Sequence, residues 1–213
     1  MIFHQVIFHQ TTRNSVSIIM AFLLDHLAAT LVVGSLVLIL ATLQFRAQHS
    51  SVEQTALYTA KKQTLEFADF LTRELSNIGM EMPEGQRLEK HSSNAYGLTD
   101  TLRFWRKDSA GDTLKIEYVL VPADTIAYHD TTAVLYEMRR YQNDVLAGRS
   151  MPTLRSFNID LFDAYGVAVP DSLLGQTRQM RIRLTTALPY GDPSRYYLPE
   201  IHWGTTLRPQ GLE

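Results

Sequence analysis

Residues 20–40 read MAFLLDHLAATLVVGSLVLIL, and the fold turns on whether this stretch crosses a bilayer. From Ser15 to Phe45 the only formal charge is Asp25, and from Leu27 to Leu43 the polar side chains are Thr30, Ser35 and Thr42. A helix rising 1.5 Å per residue needs about 20 mostly apolar residues to span the hydrocarbon. The window Ile18–Leu43 exceeds that length. A secretory signal has a shorter apolar region, about 7–15 residues, closed by a small-residue cleavage site. Here the run is longer and gives way to Gln44, Phe45 and Arg46. The stretch therefore reads as a retained transmembrane helix, Ala21–Phe45, with Met1–Met20 before it as a leader or interfacial segment. Asp25 and His26 then need an explanation, because an ionisable group inside a bilayer is costly and asks for a partner or a task.

The segment after the span needs a surface to cover. Arg46–Ile78 contains no Gly or Pro, and Val52, Ala56, Ala60, Phe67, Leu71, Leu75 and Ile78 recur at steps of three, four and seven. That spacing lines one face of a helix. The reading continues the membrane helix as an amphipathic helix over Arg46–Gly79, with Gly79 as its stop and Pro83 and Gly85 close behind.

Beyond Gly85 the period shortens to that of strands. Thr101–Lys107 and Thr113–Val121 flank the turn Asp108–Asp112, and Leu114, Ile116, Tyr118 and Leu120 alternate along the second run. This is a hairpin pattern. Further strand runs are Ala133–Tyr141, Thr153–Phe162 and Gln179–Leu188, the last alternating Met180, Ile182 and Leu184 with Arg181, Arg183 and Thr185. A helix followed by consecutive strands predicts the α+β class, a long N-terminal helix packed on an antiparallel sheet within Met80–Glu213. The tail from Pro189 carries Gly191, Pro193, Pro199, Gly204, Pro209 and Gly211 and reads as an irregular surface wrap.

Composition narrows the function. The 213 residues accommodate one anchor and one ordinary domain. A formal charge of -2 gives no broad basic surface, so no nucleic acid is expected as a partner. With no cysteine there are no disulfides, thiolate metal sites or cysteine nucleophiles. His4, His9, His26, His49, His91, His129 and His202 include no closely spaced pair with an acidic neighbour, so no metal is expected. The repeat IFHQ at Ile2–Gln5 and Ile7–Gln10 reads as an interfacial segment. Nucleophile elbows, phosphate-cradling loops and dinucleotide fingerprints are lacking, and neither a cofactor nor an enzymatic activity is expected. Acid–base work would require a cleft that gathers Asp124 with His129 and Asp130, or Asp160 with Asp163. Arg103, Arg106, Arg139, Arg140, Arg181 and Arg183 read as a solvated outer stripe. Trp105, Tyr136 and Tyr141 suit either a core or a contact surface.

Two stretches carry a family resemblance. Ala21-Phe22-Leu23-Leu24-Asp25 leads to Gly34 about nine positions later, and Thr64–Gly79 reads TLEFADFLTRELSNIG. The chain resembles the type IV pilin and pseudopilin family, the second stretch being similar to the end of the long helix in J-type minor pseudopilins and W-type minor pilins. Met20 stands where the family carries a glycine before its cleavage point, making Met20 and Ala21 the candidate processing site; Asp25 stands where the family carries glutamate. The resemblance implies a pilin-like fold and a structural subunit of a type IV pilus or type II secretion assembly. Its partners would be the lipid bilayer and like subunits held through the N-terminal helix, with Asp25 and Gly34 as assembly contacts. The implied location is the bacterial inner membrane, with the sheet domain periplasmic or extracellular. Two alternatives stay open: Asp25 and His26 lie hydrated at headgroup level before a span that starts at Leu27, or the chain is an uncleaved single-pass subunit of another membrane complex.

Overall fold

The computed structural model describes residues 3–83, 85–128, 131–188 and 198–212, with backbone alone for 3–19, 128 and 131. The side chains of the IFHQ repeat, His129, Asp130 and the tail residues from Pro189 to Pro193 lie outside the described residues. The chain divides into two compact units, Met1–Val52 and Glu53–Glu213.

One helix, α1, runs Phe3–Ser76. In the first unit its side chains from Met20 to Leu40 are all exposed, large apolar ones such as Phe22 and Leu38 included. Among the described residues this is one helix long and apolar enough to cross a membrane, and none of that window is buried.

In the second unit the end of α1 becomes one-sided. Thr64, Ala68, Leu71, Leu75 and Ile78 are buried, and Phe67 packs at the margin. The expected stripe holds from Phe67 onward but not at its start: Val52 is 69% exposed, and Ala56 and Ala60 are half-buried. Thr64 and Ala68, absent from the expected stripe, take part instead, because small side chains let the helix approach the sheet. The helix ends at Ser76, and its last carbonyls are capped by tight turns, Asn77 N–H to Glu74 O at 3.1 Å and Ile78 N–H to Leu75 O at 3.2 Å. Gly79, at φ +70°, then turns the chain and donates to the Trp105 carbonyl at 2.9 Å. A left-handed residue after a helix end suits glycine best.

The rest is one antiparallel sheet. Its strands are β1 Leu88–Ser93, β2 Thr99–Lys107, β3 Thr113–Tyr128, β4 Thr131–Gln142, β5 Val145–Arg149, β6 Leu154–Phe162, β7 Gln179–Ala187 and β8 Glu200–Leu207. They lie in the order β1-β2-β3-β4-β6-β7-β8, with β5 a short hairpin partner of β4. The α+β expectation holds. Leu102, Phe104, Ile116, Tyr118, Met138, Phe157, Ile182 and Leu184 form the core with the buried face of α1. Thr64 and Thr186 hydroxyls bond across it at 2.8 Å.

The tail is a correction. Expected to be irregular, it contains β8, which pairs with β7 from Met180↔Leu207 to Ala187↔Glu200. Pro199 and Pro209 lie outside this strand and Gly204 within it, and an edge position tolerates such punctuation where a central one does not. Pro122 obeys the same logic inside β3. Pairing between β2 and β3 stops at Thr101↔Val119, so on the β2 side its missing N–H deprives no strand of a donor, and on the β4 side it sits beside a register irregularity between Pro122 and Asp124.

Candidate functional site

Two places in the chain gather polar chemistry. The first is the apolar part of α1. Its hydroxyls are satisfied by the helix itself: Thr30 donates to Leu27 O at 2.9 Å, Ser35 to Leu31 O at 2.8 Å and Thr42 to Leu38 O at 2.8 Å. Folding back in this way lets a hydroxyl sit in an apolar helix without an outside partner. Asp25 has no such recourse; among the described residues it has no hydrogen bond or ion pair. The His26 ring stacks on Phe22, centroids 6.5 Å apart and planes 6° apart. A Cβ added at Gly34 would meet nothing within 4 Å, so its lack of a side chain is not explained by packing within the chain. Asp25 and Gly34 thus both lie on exposed helix, as do Met20 and Ala21.

The second place is the seam between α1 and the sheet. Glu74 lies on the apolar face of α1, three residues after Leu71 and four before Ile78. Arg140 of β4 grips its carboxylate with Nε at 2.8 Å and Nη2 at 2.6 Å, the Tyr118 hydroxyl donates to it, and Arg106 of β2 stands 3.7 Å away. Burial alone would raise the Glu74 carboxyl. The hydrogen bonds from Arg140 and Tyr118, aided by the charges of Arg140 and Arg106, outweigh burial and hold it below the usual carboxylate range. Burial, then the neighbouring Glu74 charge, pushes the Tyr118 phenol well above its ordinary value.

This seam divides the six strand arginines. Arg106 and Arg140 lean into the helix interface rather than solvent, which corrects the expectation of a single outer stripe. The others fit the outer role: Arg103 lies between Glu89 and Glu117, Arg139 beside Glu137, Arg181 over the Phe162 ring and Arg183 on Asp160. Tyr136 is a core residue, whereas Trp105 is half-buried and donates its Nε1–H to Glu89 at 2.7 Å. Tyr141 is also half-buried.

The candidate acid–base groups are scattered. Asp124 is exposed, and its carboxylate accepts the Thr125 N–H. Asp160 pairs with Arg183, while Asp163 accepts the N–H groups of Tyr165 and Val167 and so builds a turn. A cavity of about 220 Å³ is lined by Arg87, Leu88, Leu174, Arg178 and Leu212, and among the described residues no carboxylate, histidine or hydroxyl side chain lines it. No group of three His, Cys, Asp or Glu suited to a metal occurs among the described residues.

Glu74 escaped sequence reasoning, although a signal was there: a lone acid on an apolar helical stripe, opposite strands rich in arginine. No family model, curated protein or solved structure matches the chain.

Proposed function

We propose that the chain is a membrane-anchored structural subunit, pilin-like or pseudopilin-like, and not an enzyme. It would serve a type IV pilus or type II secretion assembly in a bacterial inner membrane, with its sheet domain outside the cytoplasm. One observation carries the reading: the single apolar helix bears an acidic residue with no partner among the described residues, while later residues of the same helix are buried by an antiparallel sheet. An unpaired charge in a membrane helix is tolerable when another subunit supplies the opposite charge, since pairing is worth most where the dielectric is low. The exposed apolar face and Gly34 supply the surface for like helices. Among the described residues, nothing gathered in the sheet domain has the arrangement of a catalytic site.

The test is Asp25→Asn. Removing the charge makes the helix more apolar, so membrane insertion should be intact, while recovery of partner subunits from detergent-solubilised membranes should fall. Asp25→Glu should assemble at least as well as the native chain. Equal co-purification by the Asp, Asn and Glu forms would remove the charge-pair basis of the proposal. Intact mass then separates the alternatives: a chain starting at Ala21 fits a processed pilin-like subunit, and one retaining Met20 fits an uncleaved anchor subunit of another complex.

A further inference from the structure

The chain around β8 reads Pro199-Glu-Ile-His-Trp-Gly-Thr-Thr-Leu-Arg-Pro209, and its chemistry is mirrored about Gly204. Counted outward from that glycine, Trp203 answers to Thr205, His202 to Thr206, Ile201 to Leu207, Glu200 to Arg208 and Pro199 to Pro209.

β8 also ends the sheet. Among the described residues it pairs with β7 alone, and that ladder runs from Met180↔Leu207 to Ala187↔Glu200 without a bulge. Its other side therefore turns the N–H and C=O groups of every second residue outward. Proteins guard such edges with charges, prolines, bulges, short strands or a covering element. β1 is guarded: it carries Glu89 and Lys90 and has two register shifts against β2. It is also bonded to the short helix Asp171–Gln176, His91 Nδ1 lying 2.6 Å from Asp171 and Nε2 2.9 Å from the Ile159 carbonyl of β6. β5 has only five residues and a register shift against β4. β8 has eight residues, no Lys, Arg or Pro among them, and a regular register.

We propose that the free edge of β8 is an interface with a second copy of this chain, joined antiparallel to its own β8 across a two-fold axis at Gly204. A two-fold contact must be self-complementary, and this strand meets that condition. Residues directly opposite in an antiparallel pair project to the same side of the sheet. The half-buried Ile201 and Trp203 would lie opposite Leu207 and Thr205 of the second copy, on the face that continues the core. On the outer face His202 meets Thr206, and Glu200 meets Arg208. Both charges are available: Glu200 is held loosely, 4.0 Å from Arg155 and 3.7 Å from His202, and exposed Arg208 has no hydrogen bond or ion pair among the described residues. Pro199 opposite Pro209 closes the ladder at each end, where neither residue has an N–H to offer. Sliding the copies by two residues sets Glu200 against Thr206 and Pro199 against Leu207, which gives up the ion pairs and places a proline inside the ladder.

The chain has no cysteine, so an introduced thiol is the sole one. Two differently tagged full-length versions, His202→Cys and Thr206→Cys, are co-expressed, mildly oxidised and extracted together in detergent. Both positions are exposed, and the urea transition followed by tryptophan fluorescence confirms that each variant is folded. In the proposed register the two unlike sites face each other at about 4.5–5.5 Å between Cα atoms, within disulfide range, whereas like sites stand roughly 13 Å apart along the strand. The mixed disulfide should exceed either like-with-like product at least about tenfold. Arg208→Glu in both versions sets like charges opposite each other and should cut the mixed product about fivefold or more. No disulfide between copies, three products in equal amounts, or a mixed product that Arg208→Glu leaves unchanged overturns the proposal.

Discussion

Removing the carboxylate from Glu74 tests how the helix is fastened to the sheet. The Glu74 and Arg140 side chains are only 6% and 14% exposed, and two hydrogen bonds join them. Glu74→Leu strands the Arg140 guanidinium in that seam, leaves the Tyr118 hydroxyl without its acceptor and removes the counter-charge near Arg106. Deleting one member of a buried ion pair costs about 3–5 kcal/mol. Glu74→Gln keeps the shape and one acceptor, so its cost should be nearer about 2 kcal/mol, the range for a lost charged hydrogen bond. Replacing both partners, Glu74→Leu with Arg140→Met, removes the charges together and should recover about 2 kcal/mol of the Glu74→Leu loss. Trp105 and Trp203, the two tryptophans of the chain, both lie in the sheet. Their fluorescence in urea titrations of the micelle-bound protein therefore reports this unit alone, and an unchanged slope would show that stability, not compactness, has changed. The pH dependence has a definite sign. The folded carboxyl is held below its ordinary value of 4.5, so the unfolded chain takes up this proton first on acidification. The stabilisation is complete above pH about 4.5 and is lost as pH falls through the folded value, a limb that Glu74→Gln should flatten. If Glu74→Leu is no less stable than the native chain, or the double variant recovers nothing, the seam is not held by this pair.

Two further substitutions probe the packing around it. Leu71→Asp places an unpaired carboxylate at a fully buried position and should cost about 4 kcal/mol or more, read as loss of the cooperative fluorescence transition. Gly211→Ala would set a Cβ on the backbone of Gly79 and Met80, which cannot give way cheaply; a loss of about 2 kcal/mol is expected, while Gly148→Ala, in open space, should stay within about 0.5 kcal/mol.

The parts legible in sequence were those with a strong period. The β2–β3 hairpin and β7 alternate cleanly, and the observed burial of β7 follows Met180, Ile182 and Leu184 as expected. β1 and β5 were missed for physical reasons. Leu88–Ser93 is mostly polar because an edge strand faces water, and Val145–Arg149 comes after a tight turn at Asn143 and Asp144, whose positive φ values are not the glycine-marked kind. The membrane-length stretch was readable from composition alone. The Glu74 seam was not, because a charge on a helix usually signals the wet face, and only tertiary structure shows Arg140 and Tyr118 beneath it. His91 was equally silent, since its acceptors, Ile159 and Asp171, come from distant parts of the chain.

The close approach of Gly211 to Gly79 bears on the order of events during synthesis. Nearly every strand pairs with its neighbour in sequence, so hairpins are able to form as they emerge. The turn that ends α1 is bonded to β2 at Trp105 and Lys107, but Gly211, which packs against it, and the core residue Leu212 arrive only after all eight strands. Likewise Thr64 meets Thr186 across 122 positions. A nascent chain therefore carries the apolar face of Ala68, Leu71 and Leu75 incompletely covered until its last segment arrives. Such a face attracts helpers or aggregation until the final segment closes over the turn, and the yield of folded protein should depend on what shields it in the interval.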